Sequence, residues 1–190
     1  MTNPDTPLPP WADLLIADLD DADRAAEQLT SGLSEDDLNW HPAAGAWSVG
    51  QCLEHLAITN EVYLPPISAS FSAQPDSVVQ EITPGWFARW FMQNFIEPSP
   101  KTKRARAPGK IVPSQRVALS VVQRFRQGND AVREMIHRAA SHDVNHLRFK
   151  NPFVPLLRFT VGSGFLIITR HQKRHLLQAE RVRQSAEFPR

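Results

Sequence analysis

A chain of 190 residues with 42% hydrophobic content has enough material for one globular domain with a sizeable core and argues against a second. Twenty-one Lys and Arg against twenty Asp and Glu leave a net charge of +1, which removes the strong electrostatic case for a nucleic-acid or membrane-surface partner. The single cysteine, Cys52, excludes an internal disulfide and a Cys-rich zinc module, so any metal site must rest on histidine and carboxylate, and the expected compartment is reducing.

The opening MTNPDTPLPPWADLL has no basic region followed by an apolar run and does not read as a signal peptide. No apolar stretch approaches the roughly 20 residues of a spanning helix, so the cytoplasm is the expected location. Apolar residues recur at spacings of three and four, and no stretch alternates convincingly with period two, which predicts an all-α protein. One domain is expected over residues 11–184, with tails at 1–10 and 185–190.

The first helix is expected from Trp11 to Ser31, with Leu15, Leu19, Ala22, Ala26 and Leu29 on one stripe and an end near Gly32. In WSVGQC, Ser48 stands at an N-cap with Gln51 three residues on as a capping box, and Trp47 and Cys52 stand where a hydrophobic staple would close. The helix they open should run to about Leu64 and stop before Pro65 and Pro66. Between Pro65 and Pro113 the pattern breaks down into a long crossover connection, except for PGWFARWFMQNFI at 84–96, which predicts a short packed helix roofing one end. The run EPSPKTKRARAPGK at 97–110 carries five Lys and Arg and reads as a solvated loop rather than an RNA-touching tract.

A third helix is expected after Pro113 with Ser114 as its cap, burying Val117, Val121, Val122, Phe125, Val132 and Ile136, with Gly128 as its weak point. The fourth begins near Gly162 to Gly164 and runs to about Gln184. Four long helices with one long crossover describe a four-helix bundle.

Seven histidines make a pair at i, i+4 cheap to find, and His142 and His146 form one where the third helix gives way to a loop. His171 and His175 differ in lying inside a strongly helical run, on the face that carries Gly164, Ile167, Ile168, Gln178, Ala179 and Val182. Two readings stand side by side: core histidines satisfied by neighbouring hydrogen bonds, or two imidazoles one turn apart sharing an ion. The second reading needs a third ligand, and His55 in QCLEHLAITN is the natural candidate, although alone it reads as a structural histidine.

Together, WSVGQCLEHLAITN and, over a hundred residues later, FLIITRHQKRHLLQAERV resemble the DinB-like family, also called the YfiT-like metal-dependent hydrolases. The shared motif is a tryptophan-capped helix with one histidine and a final helix with H-x-x-x-H and a glutamine shortly after; the resemblance covers about residues 11–184. It implies a four-helix bundle in which His55, His171 and His175 bind one divalent metal, zinc or nickel foremost, and imidazole ligation alone does not choose between them. It also implies a small-molecule substrate: the best-understood relatives activate a low-molecular-weight thiol for transfer to an electrophile, and others are labelled hydrolases by inference. The long 65–113 connection departs from short family members, and substrate choice is expected to reside there.

Three neutral imidazoles would leave the ion its charge and an open position, the arrangement of catalytic sites. The second ring nitrogens need partners; Gln178 is the first candidate, with Glu54, Asn60 and Asp143 behind it. Cys52, one turn before His55, is expected to serve as a small hydrophobe rather than as a fourth ligand or nucleophile. The expected function is a metal-dependent thiol S-transferase or hydrolase. The alternative is a non-catalytic metal- or ligand-binding stress-response bundle, motivated by the lack of a recognisable acid or base beyond the histidines. No nucleic acid or membrane is called for, and a homodimer is left open.

Overall fold

The computed structural model describes residues 7–71, 77–98, 106–154 and 156–189. Pro9 caps α1 (Pro10–Thr30), whose first position takes a proline at no cost in hydrogen bonds. Trp11, Ala12, Leu15, Leu19, Ala22 and Ala26 form its buried face. After Gly32, at φ 73°, the unexpected short helix α2 (Glu35–Leu38) is closed by a capping box between Ser34 and Asp37 and buries Leu38.

The second long helix, α3 (Val49–Ser68), starts at the expected cap, but it does not stop before the proline pair. Pro65 and Pro66 remove the donors that would meet the carbonyls of Glu61 and Val62 near the end of the helix. Burying Ile67 completely in the core holds the last turn in place. The aromatic stretch forms α4 (Trp86–Phe91) and runs on as a π turn at Met92–Ile96. Phe87 and Phe91 pack on Phe159 with ring centroids 6.0 and 5.5 Å away, and Phe95 and Glu97 accept from Arg174 and Arg170, so this segment lies along the last helix as well as near its start. Residues 99–105 of the basic run lie outside the described residues.

A 3₁₀ turn at Gly109–Ile111 precedes an extended stretch, and α5 (Val121–Ala139) begins seven residues after the serine expected to cap it. Ser114 is occupied otherwise: its amide and hydroxyl both donate to the Glu54 carboxylate, at 2.6 and 3.2 Å, tying the stretch to α3. Gly128 does not interrupt α5; a Cβ there would come within 3.0 Å of the Asn60 Nδ2, so the glycine permits close approach to α3.

A two-stranded antiparallel sheet, β1 (Arg148–Lys150) and β2 (Arg158–Thr160), corrects the purely helical expectation. Each strand is three residues long with one buried residue, and Phe149 faces Phe159 across the pair, a pattern too short to register as alternation. The last helix, α6 (Val161–Arg183), begins at Thr160, whose hydroxyl accepts from the Ser163 amide. Phe188, beyond its end, is buried against Trp40 with ring centroids 5.3 Å apart.

The four long helices pack in a ring, α3 against α5 and α6, and α1 against the same two from the other side. Their interior holds two apolar clusters. One contains Trp11, Tyr63, Ile67, Val132 and Ile168; the other contains Leu38, Leu53, Leu56, Phe125 and Leu176. Between them along α3, α5 and α6 lies a layer of buried amides, joined to α1 through the Asp23 carboxylate. Asn129 accepts from Asn60 at 3.0 Å and from Gln172 at 2.8 Å, and donates to Asp23 at 2.7 Å. Such a layer fixes the relative heights of the four helices, because any slip would strand a buried polar group. No helix among the described residues is long and apolar enough to cross a membrane.

Candidate metal centre

The site is built on two of these helices. The Ser48 cap sets the first turn of α3, with the Gln51 amide donating to Ser48 Oγ at 3.1 Å and the Ser48 amide to Gln51 Oε1 at 3.3 Å. Two turns into this well-anchored helix, His55 points inward and is 2% exposed. From α6, His171 and His175 project from the same face at 9% and 8% exposure. The three ring centroids are 4.9, 4.6 and 4.5 Å apart pairwise, and one nitrogen from each ring falls within 4.8 Å of the others. His55 Nε2 and His171 Nε2 face each other at 3.3 Å.

The outward nitrogens explain which atoms converge. His55 Nδ1 donates to the Ile111 carbonyl at 2.6 Å, which leaves its Nε2 as a lone-pair donor toward the other rings. His175 Nδ1 bonds Gln178 Oε1 at 3.0 Å, with the same consequence. An amide oxygen and a backbone carbonyl thus orient two of the imidazoles as ligating rings are oriented, and the donor set fits a borderline divalent ion.

All three rings are held neutral, the state that ligates. Burial pushes His55 below the ordinary histidine value, partly offset by its bond to Ile111, and the Arg174 charge pushes the same way as burial. Burial places His171 well below that value, with the neighbouring His175, His55 and Arg174 adding to it. His175 is lowered to about 3, first by burial and then by His55 and Arg174, against the bond to Gln178.

Other expected participants stand elsewhere. The hydrogen bonds of Glu54 go to Ser114 and Arg124, those of Asn60 to Asn129 and Gln172, and those of Asp143 to the Asn145 and His146 amides and the His146 ring. The His142 and His146 pair does not converge: His142 is buried against Phe71, while His146 is exposed beside Asp143. Cys52 is completely buried in the apolar cluster, and burial raises its thiol to about 12, so it offers neither thiolate nor ligand.

Two participants escaped the sequence reading. The Ile111 carbonyl had no signal, since every residue offers one. Trp47 was expected as a staple, and it does pack on the cluster that holds Cys52; its ring also lies against His55 at 4.7 Å and His175 at 5.6 Å. The site opens through the His175 side into a cavity of about 1350 Å³, whose wall includes Trp47, Gln178 and Arg174.

A family model described as the DinB superfamily matches residues 18–179. No curated protein matches the chain.

Proposed function

The chain belongs to the DinB superfamily, and from that premise we propose that it is a four-helix-bundle enzyme that uses one divalent ion, zinc or nickel, held by His55, His171 and His175. Its reaction is a thiol S-transfer or a hydrolysis on a small molecule, in the cytoplasm. The observation that carries this reading is the convergence of three buried, neutral imidazoles, two with their outer nitrogens already hydrogen-bonded and one of them, His175, lining a cavity of about 1350 Å³. An ion on three neutral ligands retains its double charge and an open position, and so supplies Lewis acidity toward a thiol or water at neutral pH.

The protein's own groups set the rest. The Ile111 carbonyl and Gln178 keep two protons on the outer nitrogens, so neither ring can turn its lone pair away from the centre. Trp47 shields His55 and one side of His175 from water. A reacting molecule therefore approaches from the cavity, past His175.

Purified protein should carry close to one divalent ion per chain by elemental analysis, and His171→Ala should lose most of it. Full metal content in that variant would remove the ligand assignment. One observation favours a second reading, a non-catalytic binding module: no Asp or Glu is among the described residues of the cavity wall. Metal-loaded protein that binds a thiol, ester or amide from a panel yet consumes none of them with an electrophile or water would establish it.

A further inference from the structure

The cavity beside the histidines is unbalanced in charge. Arg106, Arg174 and Arg181 line it and no described Asp or Glu does, in a chain whose net charge is only +1. Several other arginines are paired with carboxylates: Arg133 with Asp20 and Asp23, Arg124 with Glu61, Arg116 with Glu35 and Asp36, and Arg170, one turn before Arg174, with Glu97. The three cavity arginines have no carboxylate partner among the described residues. Arg174 is half-buried and gives one N–H to the Phe95 carbonyl, leaving the rest of its fork without a partner among the described residues.

We propose that these arginines form an anion subsite next to the histidine cluster, and that the small molecule this protein takes carries an oxyanion head group, a carboxylate or a phosphate. The physical reason is complementarity. A guanidinium fork gains most from a planar or tetrahedral oxyanion that meets two of its N–H groups at once. A cleft walled by charges of one sign also raises the local concentration of the opposite sign. Arg174 is adjacent in sequence to His175, so an anion on its fork would hold the rest of the molecule at the mouth of the site. The lining also includes the apolar Trp47, Val112 and Pro113, against which the uncharged remainder of such a molecule would pack. This inference rests on the metal reading in taking the same cavity as the substrate site.

The test is calorimetric titration of metal-loaded full-length protein with glutarate, its uncharged isostere glutaramide, and inorganic phosphate, in wild type, Arg174→Gln and Arg181→Gln, with metal content measured on every sample. Glutarate or phosphate should bind and glutaramide should not, and each substitution should weaken the anion by about tenfold while leaving metal content unchanged. Whichever anion is held more tightly identifies the head group. Repeating the titration after chelation separates arginine from metal: the Arg174 dependence should persist. Equal affinity for glutarate and glutaramide, no binding of either anion, or anion binding that both variants retain and chelation abolishes, would overturn the subsite. A wild type that takes up no divalent ion when one is supplied, yet binds anion through Arg174, would remove the metal reading and leave the subsite standing.

Discussion

A histidine four residues from another says little until the second nitrogen of each ring is placed. His142 and His146 share the spacing of His171 and His175, but one is spent on packing and the other on an exposed pairing with Asp143. The central rings differ because burial makes their charged form costly and Ile111 and Gln178 fix which nitrogen carries the proton. That cost has a definite sign in stability. The folded-state values of His55, His171 and His175 lie below the unfolded value near 6.5, so below that pH the unfolded chain binds more protons than the native one. Stability of the metal-free protein is therefore complete above about pH 6.5 and falls as the pH drops from there toward the folded-state values, about 3 for His175. Urea midpoints at about pH 7.5 and about pH 5 should show the drop, and His175→Ala should flatten it; a midpoint indifferent to pH in the wild type would refute it. The thiol supplies a contrast. Cys52 should resist a thiol reagent in native protein and react after unfolding, because burial raises it to about 12. Rapid native labelling would show that it is reachable after all.

At the scale of the element, local chemistry was readable wherever it was self-contained. Ser48 and Gln51 make their capping box from residues three positions apart, and the start of α3 follows from those residues alone. Ser48→Ala should cost about 1 kcal/mol in denaturant unfolding. Because the cap anchors the turn before His55 and Gln51 also reaches the Ser114 carbonyl, metal retention should fall in parallel. An unfolding midpoint within error of wild type would show that the rest of α3 fixes its own start. The failures were of the opposite kind. Ser114 looked like a cap and instead serves Glu54, sixty residues earlier in the chain, so α5 starts later. Pro65 and Pro66 looked like a stop, yet Ile67 is anchored in the core beyond them. The α2 capping box was present in SEDD and passed unread. β1 and β2 were too short for periodicity to reveal them.

For the whole molecule, the candidate site joins α3 to α6, so an ion held there would tie together helices more than a hundred residues apart in the chain. Binding only to the native state adds stability by mass action. A chelator should lower the thermal midpoint of the wild type, whereas His55→Ala should start lower and respond far less. Equal responses would show that His55 does not hold the ion. The sequence by itself determined the helical class, the four long segments, the two inward histidine positions of α6 and the capped helix of His55. Each of these depends on periodicity or on contacts within one turn, and the resemblance of WSVGQCLEHLAITN and RHQKRHLLQ to one family joined them, as the match over 18–179 bears out. Only the tertiary structure decided that a nitrogen of each of the three rings meets the others within 4.8 Å, that Ile111 and Trp47 serve them, and that Arg106, Arg174 and Arg181 face the same cavity. Those relations are distances between segments far apart in sequence. They are set by how two apolar clusters and the amide layer between them bring the helices into register, which no local pattern encodes.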